Sequence, residues 1–222
     1  FLGDPQLLRE YPCFRDARGL VRASMPVYGV REQLMFPRVH DADAYHFPHY
    51  NVPFGLRRPF FVTVHDLIHL LFPEFVASRP KRWLGRHVLL RAVRKALALF
   101  TVSERSRRDL VEVLGVAPER VVVVPNAVSE TFRPLSPEAM ELARSAMDLP
   151  QRFLLAVGIN KPHKNLRFLV EAFCQWRRRA GSDMRLVLCG PRLEDKGELL
   201  ATAAEGEVAG HVIVLPYMDH RR

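Results

Sequence analysis

Short, almost wholly apolar runs recur along the chain, and between them apolar residues return every three or four positions. The runs Phe61 to Val64, Leu99 to Val102, Val121 to Val124, Phe153 to Val157, Met184 to Cys189 and Val212 to Leu215, with another near Ala44 to Phe47, have the length and composition of strands. Nearly continuous apolar runs suit strands of a parallel sheet, and Phe153 to Val157 is expected to be buried on both faces. Helices alternate with them. Ser103 is placed to cap a helix over Glu104 to Leu114, with Gly115 ending it in a left-handed conformation. Ser136 and Pro137 open a helix over Glu138 to Met147. Leu166, Leu169, Val170 and Phe173 define the apolar stripe of a helix running to Arg179, and another helix is expected between Lys196 and Glu205. Strands alternating with helices predict an α/β fold with parallel sheets.

The pattern breaks once. Asn126 to Gln151 holds Pro134, Pro137 and Pro150 around a single helix and reads as a connector. The expected organisation is therefore a first domain over 1–133, a connector over 134–151 and the beginning of a second domain over 152–222. At 222 residues and 48% hydrophobic content the chain can bury a substantial core in one or two domains. Cys13, Cys174 and Cys189 are odd in number and far apart, which suggests reduced thiols in a reducing compartment. No apolar run approaches the roughly 20 residues of a membrane span, and no signal-peptide pattern opens the chain, so a cytoplasmic protein is expected.

The net charge of +9 raises nucleic acid as a partner. The cations concentrate in Arg79 to Arg108, where Lys81, Arg82, Arg86, Arg91, Arg94 and Lys95 share a helix with Leu89, Val93 and Leu97. Aromatic residues do not interleave them as stacking platforms, which makes nucleic acid the poorer match. A basic amphipathic face with Trp83 suits peripheral contact with an anionic membrane, and a merely solvated face explains the same residues.

The candidate chemistry lies at strand ends. Gly158 to Asn165 joins the strand Phe153 to Val157 to the following helix, so the helix N-terminus opens at the C-terminal edge of the sheet. Backbone N–H groups there attract phosphate, and Lys164 adds a mobile positive charge. The competing account is an ordinary βα turn with Gly158 serving only its own backbone angles. His65 and Asp66 end the strand Phe61 to Val64. With His69 they echo the zinc motif H-E-x-x-H, but Asp replaces the glutamate and the preceding Val62-Thr63-Val64 favours a strand over a helix. His40, Asp41, Asp43, His46 and His49 cluster among prolines and aromatics, where loop packing accounts for them.

Three segments in order, Phe60 to Phe75 with its strand-His turn, V-S-E-R-S-R-R-D from Val102 with V-V-V-V-P-N from Val121, and V-G-I-N-K-P-H-K-N-L from Val157, together resemble the retaining glycosyltransferases of GT-B fold, family 4. The resemblance runs from about Tyr28 to Leu215. It implies two Rossmann-like domains, both incomplete in this chain, and a hexosyl transfer, with mannose the leading sugar, from a nucleotide-diphosphate sugar to a glycan or lipid-linked acceptor without a bound metal. By the same resemblance Lys164 and the N–H groups near Asn165 stabilise the leaving diphosphate. Gly158 and Lys161 line the loop, Gly190 lets base or ribose approach the backbone, His65 hydrogen-bonds the sugar, and Ser103 faces the cleft between domains, although capping explains Ser103 equally. Many relatives carry an arginine where this chain has Ile159, which leaves Lys161 as the substitute cation. The family's first strand with its glycine-rich loop and its donor-sugar glutamate pair have no counterpart here. Glu130 and Glu138 have the pair's spacing but flank prolines, and the chain alone is expected to be inactive and poorly stable. The alternative is a non-catalytic phosphate- or nucleic-acid-binding basic α/β protein.

Overall fold

The computed structural model describes residues 2–3, 5–9, 15, 19, 21–22, 33, 36, 42–75, 79–130, 132–191, 193 and 197–216. Cys13, His40 and Asp41 lie outside the described residues. The chain divides into two compact units, Phe1–Val128 and Ser129–Arg222.

In the first unit β1 (Leu2–Gly3) is followed by α1 (Pro5–Arg9) and pairs in parallel with β2 (Val21–Arg22). A second parallel sheet has the order β3 (Tyr45–Phe47), β4 (Phe60–Thr63), β5 (Leu99–Thr101), β6 (Val121–Val123). Between β4 and β5 run α2 (Ile68–Leu71) and α3 (Arg79–Lys95), and α4 (Glu104–Leu114) joins β5 to β6. The register Val62↔Leu99↔Val121 places Phe60, Val62, Val64, Leu99 and Val121 on one face. That face is the core, closed by Val88, Leu89, Ala92 and Val93 of α3, by Ala96 just after it and by Leu110 of α4.

The second unit begins with α5 (Pro137–Ala146) and continues through β7 (Phe153–Val157), α6 (Leu166–Ala180), β8 (Arg185–Cys189), α7 (Gly197–Glu205) and β9 (Val212–Val214). Its sheet is parallel with the order β7-β8-β9. Leu186, Leu188 and Val212 pack under Val170, Phe173 and Cys174 of α6 and Leu199 and Ala203 of α7, so both helices cover the same face.

The helix ends follow local chemistry as expected. Ser103 accepts the Ser106 N–H at the start of α4, and Gly115 ends it with φ 65°. Ser136 accepts from Ala139 before Pro137 begins α5. Cys174 is buried and free, and Cys189 is partly buried and free. Desolvation raises the Cys174 thiol pKa.

β7 corrects an expectation. It was expected to be buried on both faces, yet Leu154, Leu155 and Val157 are 44, 58 and 73% exposed. β8, equally apolar, has Val187 at 0%. The difference is position, since β8 is central and β7 is an edge with a neighbour on one side. Phe153, Leu155 and Val157 also alternate onto the face that α6 and α7 leave uncovered. The pattern of the sequence measures apolarity, whereas exposure depends on what is laid against the strand.

The 222-residue chain is expected to self-associate through this edge. Replacing Leu155 and Val157 together by lysine should reduce association in analytical ultracentrifugation without lowering the unfolding midpoint. Leu188→Ala, within the core, should cost about 2 to 5 kcal/mol in denaturant titration. A destabilised lysine pair would mean that the β7 surface is covered in solution.

Candidate functional site

Every singled-out residue stands at or just beyond the C-terminal end of a parallel strand, in two groups, one per unit. His65 and Ser103 belong to the first, and Gly158, Lys161, Lys164, Asn165 and Gly190 to the second.

His65 follows β4, where the chain is held by Val64 N–H donating to the Phe100 carbonyl (2.8 Å) and by the buried Thr101 hydroxyl donating to the Val64 carbonyl (2.8 Å). The His65 Nε2 is 2.9 Å from the Pro48 carbonyl. A carbonyl only accepts, so Nε2 carries the proton, and in the neutral ring Nδ1 is left as an acceptor on an exposed side chain. Ser103 reaches the same turn through a neighbour: its hydroxyl donates to Ser106 Oγ (3.1 Å), whose own hydroxyl donates to the His65 carbonyl (2.8 Å). Ser103 therefore caps α4 and braces the His65 turn at once.

The His49 ring lies tilted at 35° against Tyr50 with centroids 4.2 Å apart, is 6.4 Å from the His65 ring and donates Nδ1–H to Asn51 Oδ1 at 3.1 Å. Burial lowers its pKa below the ordinary 6.5. Positive charge on His65 and His69 acts in the same sense, against the Asn51 hydrogen bond and Asp66. Neither Ser106 nor His49 was singled out as a site residue. The signal for Ser106 was present, two serines three apart at a helix start; nothing in sequence spacing signals His49 beside His65.

The zinc-like spacing dissolves in three dimensions. His65 precedes the helical turn that carries His69, and Asp66 Oδ1 accepts the Ile68 N–H (3.0 Å) instead of facing a metal position. Among the described residues no group of three His, Cys, Asp or Glu is arranged to hold a metal ion. Of the histidine cluster expected to pack in a loop, His46 lies instead within β3, where its Nε2 meets Thr63 Oγ1 of β4 at 2.9 Å.

In the second unit the chain leaves β7 through Gly158, whose N–H donates to the Cys189 carbonyl (2.9 Å). A 3-10 turn over Pro162–Lys164 follows, and Asn165 sits in the left-handed region (φ 50°, ψ 40°). Asn165 offers no side-chain cap, and the first turn of α6 holds no acidic residue. The first amide bonded inside the helix is Leu169 N–H to the Asn165 carbonyl (3.2 Å). The N–H groups of Leu166, Arg167 and Phe168 thus have no partner among the described residues, unlike the capped starts of α4 and α5. Lys161 and Lys164 are exposed, and neither ammonium has an ion pair or hydrogen bond there. The Arg167 side chain is committed to Glu171 (2.9 Å) and Glu198 (3.5 Å).

The two glycines differ. Gly190 has φ 153°, and a Cβ there would lie 2.0 Å from the Gly158 carbonyl oxygen. The backbone that Gly190 admits is the protein's own, where base or ribose had been expected. A Cβ on Gly158 would meet nothing within 4 Å, and its φ lies outside the left-handed region. The fold does not demand a glycine at Gly158.

The model for Glycosyltransferase Family 4 matches residues 8–132, more than half of the chain. The chain belongs to glycosyltransferase family 4. It is 24% identical over 212 residues to O-antigen chain mannosyltransferase B of Escherichia coli, covering 95% of this chain and 53% of that protein. The chain thus spans about half the length of this relative. Crystal structures with the same fold include Anabaena HepE in complex with UDP-glucose (TM-score 0.58, 19% identity, 73% of this chain and 43% of that one). Another is WaaG, a glycosyltransferase involved in lipopolysaccharide biosynthesis (TM-score 0.59, 15% identity, 90% and 57%). The fold is accordingly that of GT-B glycosyltransferases.

Gly190→Ala should cost about 1 to 3 kcal/mol, because it forces a side chain into a glycine-only conformation against the Gly158 backbone. Gly197→Ala, with open space around its Cβ, should stay within about 0.5 kcal/mol in the same urea titration.

Proposed function

We propose that the chain is part of a retaining hexosyltransferase that uses a nucleotide-diphosphate sugar, with mannose the leading sugar and a glycan or lipid-linked hydroxyl as acceptor. The observation that carries this reading is the bare start of α6. Three N–H groups without a partner among the described residues open the positive end of a 15-residue helix, and the turn before it carries two lysines that are uncommitted among those residues. Gly158 supports it, since open space at a position the fold leaves unconstrained allows phosphate to lie against the backbone. The mannosyltransferase name of the Escherichia coli relative favours mannose, and the UDP-glucose bound to HepE favours a nucleotide-sugar donor.

In this reading the bond between the anomeric carbon and the diphosphate oxygen breaks while the acceptor hydroxyl oxygen bonds on the same face. The leaving phosphate takes the acceptor's proton. Lys164 and the α6 N–H groups stabilise the charge that develops on the departing oxygen, where preorganised donors act most strongly. Lys161 supplies the second cation beside Ile159. His65, its Nε2–H fixed on Pro48, presents Nδ1 to a substrate hydroxyl, and Ser103 holds the His65 turn through Ser106.

Kinetics of the full-length protein with a nucleotide sugar test this. Lys164→Ala should lower kcat/KM by about 2 to 4 kcal/mol of transition-state stabilisation. Unchanged kinetics would remove Lys164 from the reaction. Gly158→Ala should leave stability equal or raise it by about 0.4 to 1 kcal/mol while weakening nucleoside-diphosphate affinity in calorimetry. A loss of stability without a loss of affinity would make Gly158 structural after all. His65→Ala should spare that affinity and reduce turnover, whereas an unfolded variant would make His65 a structural residue.

A further inference from the structure

Strands β3 and β4 pair in parallel with Phe47 opposite Val62, so the chain segments that leave them run side by side at the C-terminal edge of the sheet. Each segment carries a histidine two residues past its strand, His49 beyond Phe47 and His65 beyond Thr63. The two rings meet there, with centroids 6.4 Å apart and planes inclined by 31°, within the range over which ring pairs interact. The segment after β3 is firmly seated. Tyr50 and Val52 are core residues, and Val52 N–H donates to the Tyr50 carbonyl (2.8 Å), so the residues that follow His49 are fixed to the body of the unit.

His65 is held from two sides. From α4 and β5, the hydroxyls of Ser106 and Thr101 donate to the carbonyls of His65 and Val64 and fix its main chain. Its exposed ring makes one hydrogen bond among the described residues, from Nε2 to the Pro48 carbonyl (2.9 Å), and that carbonyl belongs to the peptide joining Pro48 to His49. The direction of the carbonyl is therefore set where His49 is set. His49 is anchored by its own Nδ1–H on Asn51 Oδ1 (3.1 Å) and by the Tyr50 ring at 4.2 Å. If this segment turned the Pro48 carbonyl aside, no described contact would choose between the two neutral tautomers of His65. A ring with its proton on Nδ1 would offer a substrate hydroxyl a donor in place of an acceptor.

We propose that His49 is a positioning residue of the transfer reaction: anchored on Asn51, it aims the Pro48 carbonyl at His65 Nε2 and so keeps His65 in the one tautomer whose Nδ1 accepts from a substrate hydroxyl. The inference rests on the proposed contact of His65 with substrate, and His49 acts only through that residue. The neutral state of His49 suits this task, because an imidazolium there would set a positive charge beside the His65 ring. Burial is the largest influence holding its pKa below 6.5, charge on His65 and His69 acts in the same sense, and Asn51 and Asp66 oppose them. The competing account is packing. A ring that only filled space against Tyr50 would be equalled by phenylalanine, whereas a ring that works through its Nδ1–H would not.

The test is a double-mutant cycle in the full-length protein with a nucleotide sugar, joined to ring-nitrogen NMR of histidine-labelled protein, which reads the tautomer directly. His49→Phe keeps a ring against Tyr50 and removes the donor to Asn51. It should lower kcat about tenfold, the kind of loss expected when a reacting group is held less well, with nucleoside-diphosphate affinity and the unfolding midpoint unchanged. His65 should show a single tautomer protonated at Nε2 in the parent protein and a mixture in His49→Phe. His49→Ala, which removes the ring as well, should repeat both effects. His65→Ala should lower kcat, and adding His49→Phe to it should cost less than about twofold more, since two residues acting as one unit are not additive. Full additivity, a His65 tautomer unchanged in both His49 variants, or loss of folding in both would overturn the proposal. An unaltered kcat in His65→Ala overturns the reading of His65 and this inference together. A reduced kcat there, beside parental kcat in His49→Phe, overturns this inference alone.

Discussion

Parallel strand pairing governs the rest of this structure. Two parallel neighbours cannot be joined by a hairpin, so they must be linked by a crossover, which after β4, β5, β7 and β8 contains a helix running back along the sheet. The positive N-terminal ends of α4 and α6 therefore arise at the C-terminal edges of their sheets. His65, Ser103, Lys164 and Gly190 occupy those edges for that reason. The chemistry of the candidate site is a by-product of the way the core is connected.

Within that geometry, helix starts are treated in two ways. α4 and α5 are closed by serine hydroxyls, and the cap of α4 extends through Ser106 to the His65 carbonyl. α6 is left open, with Asn165 in a left-handed conformation and making no side-chain cap hydrogen bond. An uncapped start forgoes about 1 kcal/mol of stabilisation. The forgone cap leaves donors available to a ligand, and Lys164 and Lys161, in the turn before them, have no partner among the described residues. Close packing of glycines keeps the loop in place, since Gly190 lies against Gly158 and Gly158 N–H is held by Cys189.

α3 shows how one helix serves two surfaces. Its small and branched apolar residues fill the core between β4 and β5, and its basic residues are sorted by what they touch. Arg82 and Arg91 satisfy loop carbonyls, and Arg120 reaches back to the Val93 and Ala96 carbonyls at the helix C-terminus. Among the described residues Arg79, Arg86, Arg94 and Lys95 make no such contact. No helix among the described residues is long and apolar enough to cross a membrane.

The strands from Tyr45 onward, the helix Glu104–Leu114 with both of its caps, and the turn after Phe153–Val157 were legible in the sequence, because caps, turns and apolar periods act between residues close along the chain. The two-residue strand Val21–Arg22 was not, being too short to carry a period. The family resemblance was legible as well, since its motifs are local segments in a fixed order. What sequence could not supply was which surface each residue meets. The exposure of Leu155 and Val157, the contact of Gly190 with Gly158, the pairing of His49 with His65 and the division of the α3 arginines all join residues distant along the chain. Those relations depend on where strands and helices are laid against one another, and local physics fixes the elements without fixing their neighbours.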